Sequence, residues 1–298
     1  MDSLIGYNIK FYNRYGTIDL NDMNLLNKEN PHHIVYGDLN LPAFIIPNKI
    51  PANIFYGSCQ KPHGTKISAI IRADEKMEDN FYQLEERPNS LFLMGDQIYA
   101  DDVADPLFHK IKQVSQKIVG EDENNLLSLE PKLKKRPFRQ SINKINGRQF
   151  IMGTFAKFTS NHASNHLIRF QEYVSMYLLT LGPAFWENND EFPTFEQLLE
   201  NDEYYIFFPK YRKRKRKKEM KKQKKQYETQ LKEIHDFLPT LPALRRILAN
   251  VPTYMIFDDH DITDDWNISQ EWIDGVNRSN LGKHIISNGL AAYFLFQG

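Results

Sequence analysis

The sequence is short of cysteine and of long apolar runs. Cys59 is the single cysteine among 298 residues, so the chain cannot form an internal disulfide. The N-terminus lacks the basic stretch followed by an apolar stretch that marks a secretory signal peptide. No uninterrupted apolar run approaches the ~18 residues of a membrane span. These absences predict a cytoplasmic protein without a transmembrane segment.

Net charge is also absent from the chain as a whole, but the charge is unevenly distributed. Residues 210–225 contain twelve Lys or Arg and one Glu, a net charge of +11, so the remainder carries −11. Such a run predicts contact with a nucleic acid or an anionic membrane surface, or else a solvated helix that projects from the domain. The solvated helix is the simpler interpretation, because no aromatic residue after Tyr211 interleaves with the charges.

The regular pattern of an α/β domain begins near residue 51. The pattern of residues 1–50 predicts an irregular N-terminal segment, or lead-in, with one or two short strands, such as "HHIVYG" and "AFIIP". "NIFYG" (53–57) predicts a strand, Lys66 to Glu86 a helix ended by a proline, and "SLFLMG" (90–95) a second strand. Strands that are apolar on both faces are typical of a parallel sheet covered on both sides.

The remaining elements are mostly helical. Residues 105–250 predict a large helical insertion, which includes a buried helix at 165–182 and a basic helix at 210–238. "TYMIF" (253–257) predicts a third strand, and "NGLAAYFLFQG" (288–298) the start of another core helix. His162 and His166 share helical spacing without a glutamate between them in the zinc-protease manner, so both are interpreted as structural.

Three of the predicted strands run directly into polar residues with metal-binding capacity. In open α/β sheets, ligands bind at the carboxyl ends of the strands. If the three strands are parallel neighbours, one edge of the sheet gathers Cys59, Asp96, Tyr99, Asp258, Asp259 and His260. A set of thiolate, carboxylate, phenolate and imidazole suits a transition metal, alone or beside a harder ion such as Ca²⁺ or Mg²⁺. A cation would also explain why "FDDHDITDDWN" tolerates five aspartates.

The motifs "GSC", "GDQIYADD", "DDHDITDDWN" and "NGLAAYFLFQ" resemble the alkaline phosphatase D (PhoD-like) family of calcineurin-like metallophosphoesterases. The resemblance implies a layered α/β/β/α sandwich, present here as its N-terminal portion over 51–298. It implies hydrolysis of phosphate mono- or diesters. It also implies two metal ions as cofactors, iron together with calcium or another divalent ion such as Mn, Mg or Zn.

The same resemblance implies a role for each matching residue. Cys59 and Tyr99 would ligate one ion, Asp96 would bridge both, and Asp259 would ligate the other. His260 would be catalytic, because it matches the family histidine that contacts the phosphate or protonates the leaving group. Asp258 and Asn267 are candidates for a supporting role.

The chain shows no later "GD-x-H"-like motif, which in the superfamily supplies further ligands. The expectation is therefore a site that is incomplete within this chain. The alternative function is a truncated or degenerate, non-catalytic relative that binds polyanions through 210–225.

Other interpretations of these residues stay open at this point. Cys59 by itself is more often a buried small hydrophobe than a ligand, and Tyr99 by itself could be a core residue. Asp101 and Asp102 are interpreted as solvated or capping residues. The aspartates from Asp261 onward predict helix caps or ion-pair partners, and Trp266 predicts a packing role.

Overall fold

The computed structural model describes residues 3–48, 53–64, 68–118, 120, 125–186 and 192–297. The strands within these residues are β1 Ser3–Gly6, β2 Lys10–Asn13, β3 Gly16–Asp19, β4 Ala43–Ile46, β5 Ile54–Gly57, β6 Ser90–Met94 and β7 Thr253–Ile256. The helices are α1 Ile70–Asp79, α2 Asp105–Ile118, α3 Asn125–Leu129, α4 Phe138–Ser141, α5 Gln149–Ile151, α6 Phe170–Thr180, α7 Phe195–Glu200, α8 Lys213–Phe237, α9 Leu241–Asn250, α10 Gln270–Asn277 and α11 Asn280–Gln297.

The strands form three small sheets. β1 pairs with β4 and β2 pairs with β3, each pair antiparallel. β5, β6 and β7 form a parallel sheet in that order, in register from Phe55 opposite Leu91 and from Leu91 opposite Thr253. The predicted parallel sheet is therefore confirmed, and its order places the strand before Asp96 in the middle.

The parallel sheet is covered on one face only within the described residues. Leu91 and Leu93 are buried in a cluster with Met77 of α1 and Ile247 of α9. The opposite face exposes six large apolar side chains: Ile54, Tyr56, Phe92, Met94, Tyr254 and Ile256. The prediction of cover on both faces is therefore wrong for this part of the chain, because the helices that bury the sheet all lie on one side.

The segment before the sheet is more ordered than a lead-in implies. It holds four strands, yet "HHIVYG" is not one of them. Tyr36 is buried beneath the sheet and its hydroxyl donates to Asp74 of α1 at 2.7 Å. Ala43 N donates to the side chain of Asn250 of α9 at 2.8 Å, so the segment is tied to the helices that cover the sheet.

The helical region forms the larger core. α6 packs against α2 and α11, and α2 also packs against α8. At the centre, buried Arg148 pairs with buried Glu172 through contacts of 2.8 and 2.7 Å, which compensates both charges.

Three of the predicted helices are present with shorter bounds, and the one predicted at 288–298 is the second half of α11, which begins at Asn280. The prediction over Lys66–Glu86 becomes α1, 165–182 becomes α6, and 210–238 becomes α8, while residues 65–67 lie outside the described residues. None of the described helices is both long and apolar enough to cross a membrane.

Candidate metal centre

Three loops meet at the carboxyl edge of the parallel sheet. They follow β5, β6 and β7 and carry Cys59, Asp96 and Asp259 respectively. Cys59 N donates to Gly95 O at 3.1 Å, and Gln60 N donates to Asp96 O at 2.9 Å. Parallel strands end at the same edge of a sheet, so these residues lie together at one edge, as predicted.

The loop after β6 depends on a glycine. Gly95 has a φ of 104° and Asp96 a φ of 55°, both in the left-handed region. A Cβ atom on Gly95 would lie 2.4 Å from Cβ of Asp258, which no side chain tolerates. The glycine therefore allows the β6 and β7 loops to approach each other, and with them Asp96 and Asp259.

Cys59 and Tyr99 both contact Asp96. Cys59 Sγ lies 3.3 Å from Asp96 Oδ2, and the Tyr99 hydroxyl donates to the same oxygen at 3.3 Å. Cys59 is exposed, so the alternative of a buried small hydrophobe is wrong. Tyr99 is buried, and its ring stacks on the ring of His260 with centroids 4.4 Å apart. Burial, together with the charge of Asp96, raises the pKa of Tyr99, so a phenolate there would need a neighbouring cation.

Asp96, Asp259 and His260 form the tightest group. Each offers one ligand atom, and these three atoms lie within 4.8 Å of one another. Asp259 is oriented by two backbone amides: His260 N donates to Oδ1 at 3.0 Å and Asp265 N donates to Oδ2 at 3.1 Å. Among the described residues, it is the one cluster of ligating side chains dense enough to hold an ion.

His260 is held by a buried carboxylate, Asp101. Nδ1 of His260 lies 2.8 Å from Asp101 Oδ1, and Ser160 Oγ donates to Asp101 Oδ2 at 2.6 Å. Burial alone lowers the pKa of His260, but the hydrogen bond and the charge of Asp101 raise it to about 9. Burial alone raises the pKa of Asp101, but the same hydrogen bond and that from Ser160 bring it below its ordinary value. Without a bound ion, His260 is therefore protonated near neutral pH, and in that form it contacts a phosphate or donates a proton from Nε2 rather than acting as a ligand.

The interpretation of Asp101 and Asp102 as solvated or capping residues is wrong. Asp101 has 0% exposure. Asp102 contacts Nζ of Lys61 and lies 3.3 Å from Nε2 of His63. Lys61 Nζ also lies 5.3 Å from the centre of the Tyr99 ring, so this ion pair borders the candidate metal centre.

Asp261 does more than the capping that the sequence predicts. It is fully buried, and its Oδ2 accepts from Asp96 N at 2.8 Å and from Asp258 N at 3.0 Å. Its Oδ1 accepts from Ile98 N at 3.0 Å. Burial raises the pKa of Asp261 to about 6 despite these hydrogen bonds. The bond from Asp258 N is one half of a capping box around Asp259–Asp261, so the predicted capping role is confirmed. The bonds from Asp96 N and Ile98 N give the same carboxylate a second role, because they tie the β6 loop to the β7 loop.

The two candidates for support lie at the edge of the site. Asp258 is exposed and its carboxylate accepts from Asp259 N at 2.9 Å, so it caps the short turn Asp259–Asp261. Asn267 is exposed with a φ of 59°, and no hydrogen bond within the described residues joins it to the triad. Trp266 packs against Phe257, with ring centroids 5.1 Å apart, as its predicted packing role requires.

The donor set fits a cation. Asp96 Oδ1 is buried and has no hydrogen-bond partner among the described residues, although buried carboxylate oxygens ordinarily have one. Burial also raises the pKa of Asp96. A cation beside this oxygen would satisfy it and favour the ionised carboxylate. The oxygen donors of Asp96 and Asp259 suit Ca²⁺, Mg²⁺ or Mn²⁺, and the thiol of Cys59 suits iron or zinc.

Comparison with known proteins adds no family. No family model matches the chain, and no curated protein or solved structure matches it. The resemblance to the alkaline phosphatase D family therefore rests on the four motifs and stays a prediction.

Proposed function

We propose that the protein is a metal-dependent phosphoesterase that hydrolyses phosphate mono- or diesters. The observation that carries the proposal is the triad of Asp96, Asp259 and His260 at the carboxyl edge of a parallel sheet, with His260 held by buried Asp101. The motif resemblance to the alkaline phosphatase D family supports the same reaction. On this proposal the domain is the first part of a layered α/β/β/α sandwich.

Each residue then has a task. Cys59, Asp96, Tyr99 and Asp259 hold the metal ions, iron with calcium or another divalent ion on the motif resemblance. When bound, the ions supply the positive charge that polarises the phosphoryl group and the nucleophile that attacks it. His260 donates the Nε2 proton to the leaving oxygen, and Asp101 keeps the ring oriented and protonated for that step.

The proposal is tested with two aryl substrates, 4-nitrophenyl phosphate and bis(4-nitrophenyl) phosphate, with and without added iron and calcium. We expect Asp96→Asn to lower turnover roughly 100-fold or more, because a lost metal ligand removes several kcal/mol of transition-state stabilisation. Elemental analysis should show less bound metal in the same variant. Asp38→Asn, at an exposed aspartate outside the site, is the matched control and should keep wild-type values.

The competing hypothesis is a non-catalytic relative. It predicts no turnover of either ester and no bound metal in the wild-type protein. Turnover that survives Asp96→Asn unchanged would also reject the assignment of the triad. A cytoplasmic location remains part of the proposal and is tested by fractionation of cells that express the protein.

A further inference from the structure

The first half of α8 presents a basic surface that the phosphoesterase site does not use. Its exposed basic side chains within the helix are Lys213, Arg214, Lys215, Lys217, Lys218, Lys221, Lys222 and Lys225. We call these eight residues the α8 basic face. No salt bridge to any of the eight is recorded within the described part of the chain, whereas neighbouring Lys224 pairs with Glu196 at 2.6 Å. The charge of the α8 basic face is therefore unopposed there.

The one acidic residue of the run is turned inward. Glu219 accepts hydrogen bonds from Phe207 N at 2.8 Å and from Phe208 N at 2.9 Å. Its carboxylate therefore holds the segment that precedes α8 against the helix. Arg216 donates to Phe208 O at 2.9 Å on the same side. Glu219 and Arg216 therefore make contacts within the protein, whereas the exposed charged residues of the α8 basic face are all Lys or Arg.

The apolar side of α8 is already occupied by the protein itself. Tyr227, Ile234 and Phe237 are buried, and Met220 and Leu231 pack against the main core. A helix that inserts into a membrane surface does so through its apolar face. Because that face is occupied, the α8 basic face can meet an anionic partner only through charge. This favours a partner whose binding rests on phosphate charges, as that of a nucleic acid does.

The shape of the α8 basic face favours a groove over a flat surface. Its residues span positions 213 to 225, about 18 Å at 1.5 Å per residue, and they fan over roughly 200° of the helix circumference. A flat membrane surface could contact only some of these side chains at one time. The major groove of a duplex, about 12 Å wide, admits a helix between two rows of phosphates. Lys218, Lys221, Lys222 and Lys225 also line one shallow surface groove, together with Lys224 and Glu228.

We infer that the α8 basic face binds the phosphate backbone of double-stranded nucleic acid, without sequence specificity. Lys and Arg can pair with guanine, but this face offers no Asn, Gln, Asp or Glu side chain to recognise adenine or cytosine, so it lacks the mixed set that reads a sequence. The inference stands apart from the proposed phosphoesterase reaction. The basic side chains take no part in the triad, so either activity can be lost without the other.

The test measures binding of the whole chain to a fluorescein-labelled DNA duplex of about 20 base pairs by anisotropy, at salt concentrations from about 50 to 200 mM. We expect affinity to fall steeply with salt. A variant that reverses Lys217, Lys218, Lys221 and Lys222 to Glu should bind at least about tenfold more weakly. It should also reduce the slope of log affinity against log salt by about 3 to 4, because each lost phosphate contact contributes about 0.9.

A charge-matched control separates the surface from net charge. It reverses Lys10, Lys76, Lys135 and Lys283, which are exposed and lie outside α8, to Glu. This control should bind within about threefold of the wild type, since counterion release counts only the phosphates that are contacted. Thermal unfolding of both variants checks that each is folded, and a Lys→Gln version of the α8 variant should weaken binding in the same direction.

Three results would overturn the inference. One is equal loss of affinity in the α8 variant and in its control. Another is binding that does not respond to salt. The third is tight binding to phosphatidylserine vesicles without binding to the duplex, which would make the face a membrane contact and give a role there to exposed Phe207 and Tyr211.

Discussion

At the scale of single residues, two buried aspartates hold the candidate metal-binding triad of Asp96, Asp259 and His260 in place. Asp101 and Asp261 both have 0% exposure. A buried carboxylate is costly unless its oxygens are hydrogen bonded, so the backbone and side chains around it must converge. Asp261 accepts hydrogen bonds from backbone amides of both loops of the candidate site, and Asp101 is hydrogen bonded to His260 and Ser160. Asp101 and Asp261 therefore position the residues of the site and need not contact a substrate themselves.

Asp101 sets the protonation of His260, and this can be tested directly. We expect Asp101→Asn to lower the pKa of His260 from about 9 toward its ordinary value, because the side chain keeps its shape and loses its charge. The measurement is an NMR titration of the His260 imidazole. Turnover of aryl phosphates should fall about 10- to 100-fold, the usual cost of losing the partner that orients a site histidine.

The control for this variant is Asp264→Asn. Asp264 is half-buried in the same loop but is not hydrogen bonded to His260 within the described residues. It should leave the pKa of His260 raised and keep most of the turnover. An unchanged His260 titration in Asp101→Asn would reject the role that the structure assigns to Asp101.

At the scale of elements, the three parallel strands were predictable because each is a short apolar run bounded by turn residues. Their common edge followed from that, and so did the approach of Asp96, Asp259 and His260. The role of Asp101 did not follow. It stands five residues after Asp96, and no spacing rule states whether such a loop folds back to bury a carboxylate.

Two predictions made from the apolar pattern are wrong: that "HHIVYG" forms a strand, and that both faces of the parallel sheet are covered. Ile34, Val35 and Tyr36 are buried as their apolar character suggests, but they pair with no strand. Apolar runs indicate burial, whereas a strand also needs a neighbour for its backbone hydrogen bonds. The parallel strands show the converse, since they are paired along their length but their second apolar face remains exposed.

Two adjacent residues of β6 distinguish the covered face from the exposed face. Leu93 is 8% exposed and Met94 is 53% exposed. We expect Leu93→Ala to lower the free energy of unfolding by about 2 to 5 kcal/mol, because it opens a cavity beneath the sheet. Met94→Ala should cost less than about 1 kcal/mol, as expected of an exposed position. Urea unfolding measures both, and equal losses would mean that the second face is also covered.

At the scale of the whole molecule, a neutral total conceals two opposed charge regions. The run 210–225 carries +11 on one helix, and the rest of the chain carries −11. Within the acidic body, the ionisable groups that are buried have hydrogen-bonded partners or shifted pKa values. His166 is the clearest example: it is fully buried, and its Nδ1 donates to Leu167 O at 2.7 Å. This confirms its predicted structural role. It also makes the free energy of unfolding depend on pH.

Burial lowers the pKa of His166 to about 4, although the charge of Asp101 opposes the shift. Between the ordinary histidine value near 6.5 and this value, the unfolded chain binds a proton that the folded protein excludes. The stabilisation is therefore complete above about pH 6.5 and is lost as the pH falls toward 4. From about pH 7.5 to about pH 5, His166 should lower the free energy of unfolding by roughly 2 kcal/mol.

The variant that tests this is His166→Asn, which can still donate a hydrogen bond to Leu167 O but cannot titrate. It should be less stable than the wild type at every pH, because it leaves a cavity where the ring packed against Phe158. The decisive quantity is the loss between the two pH values, measured by urea unfolding. That loss should be smaller in His166→Asn by roughly 2 kcal/mol, and an equal loss in both proteins would show that other groups carry the acid sensitivity.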